Sequence, residues 1–245
     1  MSYDKCFHFF HYSFHYAENY GYTEPALSLP QHNIHGVIVK AVFLVPTCNS
    51  EYNMDENLGE LPNGLSIPEN DGACDHILGK MIPTITLPST KGGSLDVCNV
   101  DSRSVVLYFF PMMGILGKSL PVGWDNIPGA RGCTPQNITI NEHVDDLLKY
   151  SATPIGISTQ PIVELSKLSE SREFSQTLLS DVNLKFNEKL DIPTFQVENK
   201  TMYKRLTLIL NESKIIKVFY PIFPPDKHVF EILEWLKNSS DKHGY

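Results

Sequence analysis

Long apolar runs are missing from this chain. The longest, residues 36–45, is interrupted by Lys40 and falls far short of the ~20 residues that a membrane-crossing helix requires. It also lies too far from Met1 to serve as the apolar centre of a signal peptide. Positive charge is scarce. Lys and Arg number 20 against 28 Asp and Glu, a formal net charge of −8, so neither a nucleic-acid partner nor a membrane surface is expected. Cysteine is sparse: Cys6, Cys48, Cys74, Cys98 and Cys133 are odd in number and form no Cys-x-x-Cys pair. That pattern suits a reducing compartment, with the cytoplasm as the default, better than a disulfide scaffold. No Gly-x-Gly-x-x-Gly, Walker loop or Gly-x-Ser-x-Gly elbow occurs, so no cofactor is expected and a serine hydrolase is unsupported.

What is present is enough apolar material for a core. At 42% hydrophobic and 11% aromatic over 245 residues, the chain holds one good-sized domain plus an extension, or at most two small domains. Residues 1–59 read as an irregular N-terminal extension and residues 60–240 as the folded domain. His8, His11 and His15 share one face if that region is helical, a spacing open to metal ligation. Their Phe and Tyr neighbours are poor helix formers, so a loosely docked extension, or translation starting at Met54, is the plainer alternative, and no metal site is expected.

From about residue 60 short strands and helices alternate. Residues 61–75 form a Pro- and Asn-rich lead-in. Thr84-Ile85-Thr86-Leu87-Pro88 and Ser94-Leu95-Asp96-Val97 flank Gly92-Gly93 as a small hairpin. Val105-Val106-Leu107-Tyr108-Phe109-Phe110 is a buried central strand, and Pro154-Ile155-Gly156-Ile157-Ser158 is a second. Ile162, Leu165 and Leu168 mark a helix, after which residues 174–190 turn at Ser180-Asp181. Residues 206–210 and 215–220 read as an antiparallel hairpin about Asn211-Glu212-Ser213. The last helix starts at Asp226 and buries Val229, Leu233 and Leu236. This order predicts an α/β domain of thioredoxin-like fold, a central mixed sheet flanked by helices.

Cys133 carries the functional signal. It stands in Pro128-Gly129-Ala130-Arg131-Gly132-Cys133-Thr134-Pro135, between the first buried strand and a helical pattern of Ile140, Val144, Leu147 and Leu148. A helix N-terminus presents free N–H groups and roughly +0.5 charge, which favour a thiolate. An inert buried cysteine in a Gly-rich turn is the competing reading. His143 lies ten residues along, about 15 Å of helical rise away, and is expected on a solvated face with Glu142, Asp145 and Asp146.

In order along the chain, Val106-Leu107-Tyr108-Phe109-Phe110-Pro111, Gly132-Cys133-Thr134, Ile157-Ser158, Leu179-Ser180-Asp181 and Lys204-Arg205-Leu206-Thr207-Leu208-Ile209 resemble the peroxiredoxins, nearest the peroxiredoxin Q group. The resemblance implies a thiol-dependent peroxidase, an antioxidant oxidoreductase that reduces hydrogen peroxide and organic hydroperoxides through a cysteine sulfenic acid. It implies Cys133 as the redox-active nucleophile and Arg205 folded against it. Backbone donors at Gly132 and Cys133 would help to hold the peroxide. The resemblance also implies an external thiol reductant such as thioredoxin, glutaredoxin or glutathione, with the chain a monomer or homodimer.

Three departures stand out. Ala130 replaces the threonine of the family's Pro-x-x-x-Thr-x-x-Cys, so its place in substrate binding would pass to Thr134 or a backbone N–H. Residues 112–126 are an insertion whose Met112, Met113 and Trp124 would form either an apolar substrate wall or packing, with packing favoured for the methionines. Ile138 stands where a resolving cysteine often lies, leaving Cys74, Cys98, another subunit or an external thiol, with a one-cysteine mechanism as the default. A non-catalytic thioredoxin-fold redox sensor or interaction protein is the alternative.

Overall fold

The computed structural model of the chain describes residues 58–243, together with a two-stranded antiparallel hairpin formed by β1 (His32–Ile34) and β2 (Val37–Val39). The chain divides into two compact units, Met1–Asn53 and Met54–Tyr245. His8, His11, His15, Cys6, Cys48 and Met54 lie outside the described residues.

In the second unit, β3 (Thr86–Pro88) and β4 (Ser94–Asp96) pair as the expected small hairpin. The central strand β5 (Ser104–Phe109) leads through a long loop into α1 (Cys133–Glu142) and α2 (Val144–Lys149). Then follow β6 (Ala152–Ser158), α3 (Ile162–Ser171), β7 (Thr177–Ser180) and α4 (Lys185–Leu190). A hairpin of β8 (Thr194–Val197) and β9 (Lys200–Tyr203) precedes β10 (Leu206–Asn211), β11 (Lys214–Phe219) and the final helix α5 (His228–His243). The main sheet runs β11-β10-β5-β6-β7, with β5, β6 and β7 parallel and β10 antiparallel to both of its neighbours. This is the mixed, helix-flanked, thioredoxin-like sheet that the element order predicts.

The alternation of β5 divides the core. Val105, Leu107 and Phe109 pack with Leu206, Leu208 and Leu210, with Phe186 of α4 and with Ile77 and Cys74 of the lead-in. Val106, Tyr108 and Phe110 face the other way, onto Cys133 and Ile140 of α1, Leu165 of α3, and Val229 and Ile232 of α5. A buried strand lined on both faces explains its unbroken apolar run.

Several local readings change. The run from Ile140 to Leu148 is not one helix: His143 (φ −114) separates α1 from α2, its ring bonded to the Thr139 carbonyl at 2.9 Å and edge-on to Phe230. Leu148 is exposed as a result. The final α-helix starts at His228, because residues 225–227 form a 3-10 turn, and it buries Val229, Ile232 and Leu236, while Leu233, expected to be buried, is only partly covered. Strand β7, helix α4 and the β8–β9 hairpin carry no clear pattern, since each is only four to six residues long.

At Ser180-Asp181 the expected turn is held by a buried carboxylate. Asp181 accepts from the Lys185 and Phe186 N–H groups at 2.9 and 3.0 Å and from the Tyr203 hydroxyl at 2.7 Å. Asp181→Ala leaves three donors unpaired, and we expect a loss of about 2–4 kcal/mol. Thermal unfolding checks this, with a fall in Tm of roughly 4–16 °C for a domain of this size.

Candidate active site

The site forms where β5 ends and α1 begins. Gly132 caps the helix at φ +98, and a Cβ there would run into the side chains of Pro225 and Leu61. Glycine is therefore required both by conformation and by packing. With the cap set, Cys133 opens the helix at 2% exposure. Asn137, one turn along the same helix, fixes the rotation of α1: its side chain accepts from the Tyr108 hydroxyl and donates to the Cys133 carbonyl, both at 2.9 Å. Burial pushes the Tyr108 phenol well above its usual range, so it stays a neutral donor.

Arg205 reaches the same point from the residue before β10. Its Nη2 lies 3.1 Å from Cys133 Sγ and 3.1–3.3 Å from the carbonyls of Arg131, Ala130 and Gly129. Its Nη1 donates to Gln136 Oε1, one turn along the helix from the cysteine. The Met112 N–H also points at the sulfur, at 3.3 Å, and the sulfur in its thiol form can donate to the Ala130 carbonyl at 3.4 Å. Cys133 therefore has two donors for a thiolate and one acceptor for a thiol. Arg205 Nε and Gln136 Nε2 are buried without a partner, which leaves donor capacity for an incoming oxygen.

The residues named from sequence are distributed unevenly. Cys133, Arg205, Gly132 and Ala130 meet here, but Ala130 is fully buried and contributes its carbonyl rather than its side chain. Trp124 does not face the site's cleft. That cleft, about 360 Å³, is lined by Ile127, Pro128, Gly129, Phe195, Lys204, Arg205 and Tyr220 among others. Trp124 packs behind it with Ala130, Val197 and Met202, 6.2 Å from the Phe195 ring, because an indole surrounded by apolar side chains is better removed from water. Met113 is fully buried, in keeping with packing, and Thr134 is buried in the first turn of α1.

Neither resolving candidate lies beside Cys133. Cys74 belongs to the core on the opposite face of the sheet, and Cys98 packs against that same core near Val105, at the far end of β5. Burial pushes the Cys74 thiol up to about 12 and the Cys98 thiol upward too. Gln136, Asn137 and the Met112 N–H are the parts of the site that sequence reading misses. The spacing of Gln136, three residues after Cys133 on a helix, is the one signal that points to it. Among the described residues no group of His, Cys, Asp and Glu is arranged to hold a metal ion, and no helix is long and apolar enough to cross a membrane.

A thioredoxin-like sheet that sets a cysteine at the start of a helix against a buried arginine is the arrangement that the peroxiredoxin resemblance implies. Comparison narrows the resemblance. The chain is 24% identical over 162 residues to peroxiredoxin Bcp of Escherichia coli, covering 65% of this chain and 94% of that one. It is 25% identical to the chloroplastic peroxiredoxin Q of Gentiana triflora, covering 66% and 67%. Among solved structures, peroxidoxin BcpB of Mycobacterium tuberculosis matches with a TM-score of 0.52 at 24% identity, over 66% of this chain and 96% of that one. Peroxiredoxin Q of Xanthomonas campestris matches at 0.52 and 17% identity, over 67% and 98%. No family model matches the chain. The chain is thus similar in sequence to peroxiredoxins named Bcp and Q, and it shares the fold of the solved ones.

The depressed acidity of Cys74 gives a direct test. In the reduced chain at neutral pH, iodoacetamide should modify Cys133 well before Cys74, with sites read by peptide mass spectrometry. A Cys74 that reacts first would contradict the placement of the two thiols.

Proposed function

We propose that this chain is a thiol peroxidase acting on hydrogen peroxide and organic hydroperoxides, with Cys133 as nucleophile and Arg205 as the principal electrostatic partner. The observation that carries the reading is the 3.1 Å contact of Arg205 Nη2 with Cys133 Sγ inside a buried site. The Cys133 thiolate attacks one oxygen of the peroxide. An S–O bond forms as the O–O bond breaks, and the departing oxygen leaves with the electron pair, taking up a proton to become water or an alcohol. Arg205 keeps its charge throughout and follows the negative charge from sulfur to the departing oxygen. The N–H groups of the first turn of α1, including those of Gly132 and Cys133, have no partner within the helix, so they add donors where the hydroxyl absent at Ala130 would have acted.

The product is a sulfenic acid. An external thiol then attacks its sulfur, water leaves, and a second thiol reduces the mixed disulfide. A one-cysteine cycle of this kind fits the opposite-face burial of Cys74 and the distant end of the sheet at Cys98. Thioredoxin, glutaredoxin or glutathione would be suitable reductants, in a reducing compartment such as the cytoplasm, and the chain would act as a monomer or homodimer. A redox-sensing role would need only the sulfenic acid, without the reduction steps.

Peroxide consumption with dithiothreitol as reductant tests the assignment. Cys133→Ser should abolish turnover, and Arg205→Ala should lower kcat/KM by about 100-fold, the scale of one lost electrostatic donor in a buried site. Consumption by the intact chain no faster than by Cys133→Ser would overturn the peroxidase reading. Stoichiometric oxidation of Cys133 without turnover would instead favour the sensor.

A further inference from the structure

Past Phe109 the β5–β6 pairing does not stop where the strand does. The Phe110 N–H donates to the Ile157 carbonyl at 3.0 Å, the last backbone rung between these segments. Beyond it, β6 turns away into α3, and side chains take the place of the missing strand. Ser158 Oγ donates to the Pro111 carbonyl at 2.8 Å. Gln160 then pairs with both polar groups of Met113: its Oε1 accepts from the Met113 N–H at 2.8 Å, and its Nε2 donates to the Met113 carbonyl at 3.1 Å. A carboxamide presents the same donor and acceptor as a peptide group, so Gln160 mimics one further residue of strand.

Gln160 is itself held through its backbone. Its backbone N–H donates to Ser158 Oγ at 3.2 Å, its carbonyl accepts from Ser180 Oγ at 2.6 Å, and the residue is only 4% exposed. Between the two clamped carbonyls lies Met112. In an extended segment successive N–H groups point to opposite sides, so fixing Pro111 and Met113 toward β6 sends the Met112 N–H the other way. There it meets Cys133 Sγ at 3.3 Å. Met112 also opens the insertion of residues 112–126, which is held farther along by the Lys118–Glu164 ion pair at 3.1 Å and by Trp124 in its apolar cluster.

We infer that Gln160 is a positioning residue for Cys133: by clamping both sides of the Met113 backbone it holds the Met112 N–H as a fixed donor to the sulfur. The inference deepens the peroxidase reading and rests on it for its consequence in catalysis, but the effect on the sulfur stands by itself. Ordering a donor in advance matters because its orientation is set before charge develops.

The test compares Gln160→Met, which keeps length and bulk but removes both hydrogen bonds, with Gln160→Glu, which keeps the acceptor and removes the donor. Lys118→Ala serves as control. Circular dichroism and Tm confirm folding; the readouts are the rate of Cys133 alkylation by iodoacetamide across a range of pH and the rate of its oxidation by hydrogen peroxide. Folded Gln160→Met should alkylate about tenfold more slowly at neutral pH, the effect of one lost charge-assisted donor, with its pH profile displaced to the alkaline side. Gln160→Glu should fall between, and Lys118→Ala should match the unsubstituted chain. A folded Gln160 variant whose alkylation profile superimposes on that of the unsubstituted chain would overturn the inference. Should neither variant fold, amide exchange in the unsubstituted chain decides: a protected Met113 N–H supports the clamp and a freely exchanging one refutes it. Slower alkylation in a chain that never reacts with peroxide would refute the peroxidase and leave the clamp standing.

Discussion

Burying the Arg205 guanidinium is the constraint around which this domain is arranged. At 3% exposure a cation costs several kcal/mol in lost hydration unless dipoles or an opposite charge replace the water. Here the replacement comes from three successive carbonyls, Gly129, Ala130 and Arg131, from Gln136 Oε1 and from the cysteine sulfur. The loop before α1 is thus shaped by the cation it surrounds. Gly129 and Gly132 both sit at positive φ, which lets the carbonyls turn inward while the helix still starts at Cys133. A thiolate at that point would offset the buried cation, so under the proposed peroxidase reading the interaction that organises the loop is also the one that carries the chemistry.

The sheet brings these parts together. Strand β5 pairs with β10 on one edge and β6 on the other, so the residues just past its C-terminal end meet Arg205 from one neighbour and Ser158 and Gln160 from the other. Convergence of functional groups beyond the carboxyl ends of parallel strands is the general expectation for such sheets. What is particular here is the length of loop between β5 and α1. Its start is clamped to β6 by side chains, and its Trp124 is stowed in a small apolar cluster with Val197 and Met202. The β8–β9 hairpin, which supplies Val197 and Met202, therefore supports the wall of the cleft from behind, while its Phe195 lines it.

Two differences from the family pattern have local structural answers. Ala130 is fully buried and shares the Trp124 cluster, so the position is used for packing and for its carbonyl. Ile138, in place of a resolving cysteine, packs against the core on the Cys133 face of the sheet. Both exchanges put apolar contact where a polar or reactive group would otherwise stand. Under the peroxidase reading, they shift the work to backbone donors and to a thiol from outside the chain.

The amino-acid sequence by itself determined the strand-helix order, the buried two-faced run of β5, the Cys133 loop with its glycines, and the pairing of that loop with Arg205 through family resemblance. These are legible because periodicity, glycine placement and motif order are local properties of the chain. Asp181 was legible as a turn residue, though not as a buried cap. The break at His143, the short elements β7, α4, β8 and β9, and the roles of Gln136, Gln160 and the Met112 N–H were decided only by tertiary structure. So was the separation of Cys74 and Cys98 from Cys133 by the sheet itself. A four-residue strand has too few side chains to show a period, a backbone N–H leaves no mark in the sequence, and hydrogen bonds between residues 47 positions apart, as between Met113 and Gln160, exist only after the chain has folded.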